Sequence, residues 1–205
     1  MKSNILLTSA AALLVVSGAN AAQYSPFVGA TMGLAGILYT NEADDAAKAN
    51  HVDLPSDFFA MGLTGGVRFG SHSSIYNGGF SVNIDQTTDS EVEDKFTHAE
   101  IAKLSMFHAS ATYDNYIRVS GDKARRIDLV LGAGMGIMNY HYDVKDAAYL
   151  NETVYSTTFA FKIGVDFELT KHLTLSADTR VFVPTRSHYD AESSYIVGGT
   201  VKYLF

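Results

Sequence analysis

The residues best suited to chemistry are His108 and Ser110, which stand two apart in His108-Ala109-Ser110 and so share one face of an extended segment. A histidine beside a hydroxyl is the pairing of general base and nucleophile, and it serves acyl transfer when a carboxylate orients the imidazole. No partner acid is identifiable near them, so no catalytic residue is assigned. Gly132-Ala133-Gly134-Met135-Gly136 invites a phosphate-loop reading, but Ile137 stands where GxGxxG needs its third glycine, and no helical pattern follows. Small inward-facing residues that relieve crowding explain the run better. The seven histidines include no His-x-x-x-His pair and no cysteine supports them. His51, His98, His141 and His188 therefore read as solvated loop residues, with a loop metal site as the alternative. No metal or cofactor is expected.

Acidic side chains are the other candidate. Asn41 to Asp57 holds five acids and one lysine, and Asp85 to Glu100 holds six acids and one lysine. Such loops attract cationic ligands or divalent ions, and they also keep a surface protein from sticking to its neighbours. The formal charge of −7 argues against nucleic acid as a partner.

The elements that position these residues alternate with a period of two. Tyr195 to Phe205 puts Tyr195, Val197, Val201, Tyr203 and Phe205 on one side and Thr200 and Lys202 on the other. An unpaired apolar strand of this kind aggregates, so it needs a neighbour, which a closed barrel supplies as the first strand. The same alternation marks Tyr24 to Leu34, Phe59 to Phe69, Tyr76 to Asp85, Ile127 to Met138, Thr157 to Leu169 and Leu173 to Val183. Between Ala102 and Tyr113 the parity conflicts, since Ala102, Leu104 and Met106 oppose Phe107, Ala109 and Ala111; a β-bulge near Met106 and Phe107 would reconcile them. Asp114 to Arg126 reads as a long turn, and Gly36 to Asp57 as a loop.

Eight strands result, and the expected fold is all-β, an eight-stranded antiparallel up-and-down transmembrane β-barrel. Long acidic connections alternate with mostly shorter ones, as in outer-membrane barrels with extracellular loops and periplasmic turns. Tyr24, Phe69, Tyr203 and Phe205 gather towards one rim, and Tyr39, Phe59, Tyr142, Tyr155 and Tyr195 towards the other, as interfacial girdles require. The opposite parity carries Arg68, Lys162, Asp166, Glu168, Asp178, Arg180 and Lys202. We read them as a charge network filling the lumen, because eight strands leave room for side chains and no more. A three-residue turn after Leu169 sets Lys162 across from Arg180 and diagonal to Asp178, which predicts a cluster of those three.

The start of the chain is an address. One lysine precedes the apolar run Ile5 to Gly18, and Ala19-Asn20-Ala21 has the small residues of a cleavage site, so residues 1–21 read as a signal peptide and 22–205 as the barrel domain. Mean hydropathy near zero suits a barrel whose two faces cancel. Without cysteine, stability must come from burial, the backbone ladder or a cofactor.

Phe27-Val28-Gly29-Ala30, Ala111-Thr112-Tyr113-Asp114, Leu131-Gly132-Ala133-Gly134-Met135-Gly136, Leu173-Thr174-Leu175 and the terminal Val201-Lys202-Tyr203-Leu204-Phe205 carry a resemblance across the mature chain. It resembles the small eight-stranded outer-membrane β-barrel family, the opacity-protein and OmpA-transmembrane-like group of Gram-negative bacteria. The resemblance implies an outer-membrane location, contact with membrane lipid and lipopolysaccharide, and surface roles that include adhesion to host cells. It also implies that the barrel-assembly machinery reads the final aromatic strand, a role for Tyr203 and Phe205. The reading is a non-enzymatic, structural or adhesin-like surface barrel whose four acidic loops meet a host ligand or the environment. Two alternatives stand beside it: a narrow pore or small-solute carrier, and a lipid A-modifying enzyme.

Overall fold

The computed structural model describes residues 24–71, 73–121, 125–145, 152–185 and 191–205. The signal-peptide segment and His188 lie outside them. Eight long strands are present: β1 (Tyr24–Tyr39), β3 (Asp57–Phe69), β4 (Tyr76–Thr87), β6 (Glu100–Gly121), β7 (Arg126–Val144), β8 (Glu152–Glu168), β9 (Leu173–Pro184) and β10 (Ala191–Leu204). Each pairs antiparallel with its successor, and β1 pairs with β10 from Phe27 opposite Leu204 to Tyr39 opposite Ala191, which closes the ring. No strand of the ring has a free edge, so the oily final strand has the neighbour it needs. Two short strands, β2 (Val52–Asp53) and β5 (Ser90–Asp94), extend the sheet beside β6.

The alternation has the sense of a membrane barrel. Leu63, Phe159, Phe161 and Ile163 point outward with 67%, 48%, 49% and 55% exposure, while Lys162 and Asp166 are buried at 5% and 6%. A water-soluble sandwich would show the reverse. Among the described residues no helix is long and apolar enough to cross a membrane.

At one end of the ring the connection between β8 and β9 is tight. Leu169 donates its N–H to Leu173 O at 2.9 Å, closing the three-residue turn that sets Lys162 opposite Arg180. Gly70 takes a φ of +123° between β3 and β4, in the region that suits glycine. At the other end the connections after β1 and β4 build a cap. There α1 (Asn41–Ala49) starts on Thr40, whose Oγ1 accepts from Ala43 N–H at 3.2 Å, with Glu42 and Asp44 in its first turn and Lys48 in its last, as the helix dipole favours. The expectation of an irregular loop from Gly36 to Asp57 is thus corrected. Thr40 caps an alanine-rich segment, and an Asp44–Lys48 pair four apart supports it at 3.0 Å.

Two further expectations are corrected. No bulge interrupts β6 at Met106 and Phe107; its register with β4 runs evenly from Tyr76 opposite Ile117 to Gln86 opposite Phe107. Register shifts fall instead between Val92 and Glu93 in the β5 pairing and between Arg118 and Ser120 in the β7 pairing. The parity conflict is real, because Leu104 and Met106 face inward and are fully buried. Asp114 to Arg126 is not a long turn either: β6 runs on to Gly121 and β7 begins at Arg126.

Candidate functional site

The inner faces of β6 and β7 show how the lumen is divided. From the cap towards the turns, β6 points inward Ala102, Leu104, Met106, His108, Ser110, Thr112, Asp114 and Tyr116. Its partner β7 points inward Tyr140 and Met138, then Gly136, Gly134 and Gly132, then Val130, Asp128 and Arg126. The cap-side half is therefore apolar. Leu104, Met106 and Met138 pack there with Ile37, Phe58, Phe182 and Ile196 in one buried cluster. A uniformly polar lumen, the basis of the expected bulge, is replaced by an apolar plug above a charged chamber.

In the charged chamber, five cations (Arg68, Arg126, Lys162, Arg180, Lys202) meet five carboxylates (Asp85, Asp114, Asp128, Asp166, Asp178). Arg180 bonds Asp85 at 2.5 Å and Asp178 at 3.0 Å. Lys202 reaches both oxygens of Asp166 at 3.0 Å. Asp128 accepts from Arg68 and Arg126, each at 2.6 Å. The Asn77 amide is satisfied when its nitrogen donates to the carbonyls of Ser71 and Tyr76 and its oxygen accepts from the same two arginines. Such pairing of opposite charges suits a chamber where an unpaired ion costs several kcal/mol.

The expected cluster of Lys162, Asp178 and Arg180 is rearranged. Lys162 lies opposite Arg180, but its ammonium bonds Asp114 on β6 at 3.0 Å. Asp114 also accepts from Ser81 at 2.8 Å and Thr112 at 2.7 Å. This pair spans the intervening β7 at Gly132, which is opposite Asp114 on one side and Lys162 on the other. A Cβ at Gly132 would strike Asp114 Oδ1, so here the glycine run makes room for an ion pair. Glu168 is half-buried at the turn end of β8. The network also takes in Asp85, Asp114, Asp128 and Arg126, beyond the residues expected from sequence. Asp85 and Asp128 carry the inward parity of strands legible in the sequence; Asp114 and Arg126 fall in the stretch that reads as a turn.

His108 and Ser110 both face the lumen and are buried at 0% and 5%. The partner of His108 Nε2 is Ser194 Oγ on β10 at 2.8 Å, and the imidazole lies over the Phe182 ring at 4.5 Å between centroids. Among the described residues no three His, Cys, Asp or Glu side chains group as a metal site.

The rims differ. Tyr24, Tyr203 and Phe205 are exposed at the turn end, where Tyr24, Phe69, Phe80 and Tyr113 touch edge to face or tilted. At the cap end Phe59 and Tyr155 are exposed, but Tyr39 and Tyr142 pack against the plug, so those two leave the expected girdle. In the cap, the acidic stretch after β4 loses Asp85 to the lumen and keeps five acids against Lys95.

A closed antiparallel ring that is oily outside and ion-paired inside defines a membrane-spanning β-barrel. The chain belongs to the outer membrane protein beta-barrel domain family, whose model matches residues 8–202, and it resides in the Gram-negative outer membrane. Its fold is similar to that of Neisserial surface protein A, with a TM-score of 0.54 at 16% identity over 88% of this chain and 97% of that one. It is also similar to Ail, the attachment invasion locus protein of Yersinia pestis, with a TM-score of 0.51 at 15% identity over 90% of this chain and 99% of that one. No protein of curated function matches the chain in sequence.

Proposed function

We propose that this protein is a non-enzymatic surface barrel, structural and adhesin-like, whose acidic cap projects outside the cell and meets a host ligand or the environment. The observation that carries the reading is the division of the lumen. Charged and apolar side chains fill it, so the part of the molecule available for recognition is the cap of α1, β2, β5 and the ends of β6 and β7. The pore reading draws little support from a lumen crossed by Arg180–Asp85 and His108–Ser194 contacts. The lipid A enzyme reading draws little from a histidine and serine buried inside the ring, away from lipid. In this proposal residues 1–21 are the export signal, the outward apolar band contacts lipid and lipopolysaccharide, and Tyr203 and Phe205 address the chain to the assembly machinery.

The test compares adhesion to cultured host cells of bacteria carrying the wild type, no barrel, or a variant with Asp44, Asp45, Glu91 and Glu93 made amides. Greater adhesion with the wild type, reduced in the amide variant and in high salt, supports the reading. Equal adhesion of wild-type and barrel-free cells removes the adhesive role.

A further inference from the structure

A cleft of about 300 Å³ opens between α1 and the cap-side rim. Tyr39, Val52, Leu54 and Tyr142 form its apolar floor; Ala43, Ala46 and Ala47 of α1 form its roof. Tyr39 is held in place, since its hydroxyl donates to Pro55 O at 2.7 Å. The roof carries methyl groups only, so the helix stands over the floor without filling the space beneath it. An apolar cavity of roughly 150 Å³ holds a benzene ring, so this cleft takes a ring with a short chain.

Besides the two tyrosine hydroxyls, the polar side chains at the cleft are Glu42 and Asn50. Asn50 donates its side-chain amide to Ala46 O at 2.8 Å. Lys48, the cation of α1, is held by Asp44 at 3.0 Å and Asp45 at 3.9 Å. The Glu42 carboxylate forms no ion pair or hydrogen bond with any described residue. Among the described residues it is the one charge on the lining, within a cap whose acids outnumber its bases, and this charge attracts cations.

We propose that this cleft binds a small organic cation with a compact apolar body, an arylalkylamine or alkylamine, its ammonium on Glu42 and its body between α1 and the rings of Tyr39 and Tyr142. Cationic charge near tyrosine faces adds a further attraction. Mouths of β-barrels are among the usual places for such sites. The inference stands apart from adhesion, because it concerns a small ligand and a single carboxylate.

The test uses the full mature chain folded in phosphatidylcholine nanodiscs, with empty nanodiscs as reference. Saturation-transfer NMR measures binding of three probes of similar shape: 2-phenylethylamine, 2-phenylethanol and 3-phenylpropionate. The amine should bind about fivefold more tightly than the alcohol, the scale of one exposed ion pair, and the carboxylate weakest. Glu42→Gln should bring the amine down to the level of the alcohol and leave the alcohol unchanged. Ala46→Leu, which keeps good helix propensity, should fill the cleft and abolish binding of both. Equal binding of all three probes overturns the proposal, as does undiminished amine binding by either variant. Heat-modifiable gel migration checks that each variant is folded.

Discussion

Asp85 on β4 and Arg180 on β9 stand on opposite sides of the ring, yet carboxylate and guanidinium meet across the lumen at 2.5 Å. His108 on β6 and Ser194 on β10 are likewise opposite one another and touch at 2.8 Å. Both bonds run from wall to wall across the interior of the ring. They also tie together strands that share no backbone hydrogen bond, so the cross-section is held by side chains as well as by the ladder.

Arg180→Ala should therefore destabilise the folded barrel strongly, by about 3–5 kcal/mol, because it strands Asp85 and Asp178 in a low-dielectric chamber. Thermal unfolding followed by the gel shift of unboiled protein measures this. The double variant with Asp85→Asn should recover part of the loss, since it removes one orphaned charge. An unchanged transition in Arg180→Ala refutes the network.

Gly132→Ala should cost about 1–3 kcal/mol by forcing Asp114 off Lys162. Gly199→Ala is the control: its added methyl would meet only Ser176 O at 3.7 Å, on the outward face. If the two variants melt together, the steric account of the glycine run is wrong.

Leu104→Ala opens a cavity in the plug and should cost about 2–5 kcal/mol. Combined with Phe182→Ala it should also raise the frequency of openings in planar bilayers over the wild type, because both side chains are fully buried there. Unaltered conductance would mean that the Asp85–Arg180 level, and not the plug, is the seal.

The β5–β6 tip should be sensitive to acid. Asp94 accepts from Thr97 N–H at 2.8 Å, from the Thr97 hydroxyl at 2.9 Å and from Phe96 N–H at 3.0 Å. The Thr97 backbone bond, helped by the other two, holds its carboxyl below the usual carboxylate value. A lowered folded-state value means the tip's stabilisation is complete above the ordinary carboxylate range and disappears as pH falls through the lowered one. The Thr97 amide resonance should follow that titration, and in Asp94→Asn it should lose its pH dependence.

Removing the Phe205 ring with Phe205→Ala should lower the amount of assembled barrel in cells while leaving the melting of refolded protein nearly unchanged. The ring is 60% exposed on the finished barrel, so little packing is lost. A matching loss of stability in vitro would assign Phe205 to the fold and not to assembly.

Much of this molecule is written along the chain. Strict alternation such as Phe159, Phe161, Ile163 against Ala160, Lys162, Gly164 states which side meets lipid, and a three-residue turn after Leu169 sets the register of Lys162 with Arg180. Strand number and direction follow from such local patterns, because a pleated strand sends successive side chains to opposite faces. The alternation is silent on what each inward residue faces. Lys162 reaches Asp114 and not Asp178, and Leu104 and Met106 turn inward, because ring closure brings distant strands to one level and the chemistry of that level is shared among them. The helix over the cap was legible in part, in Thr40 and the Asp44–Lys48 spacing, but its acidic composition masked it. Partner choice inside the lumen belongs to the tertiary structure alone, since distance across a closed ring bears no relation to distance along the sequence.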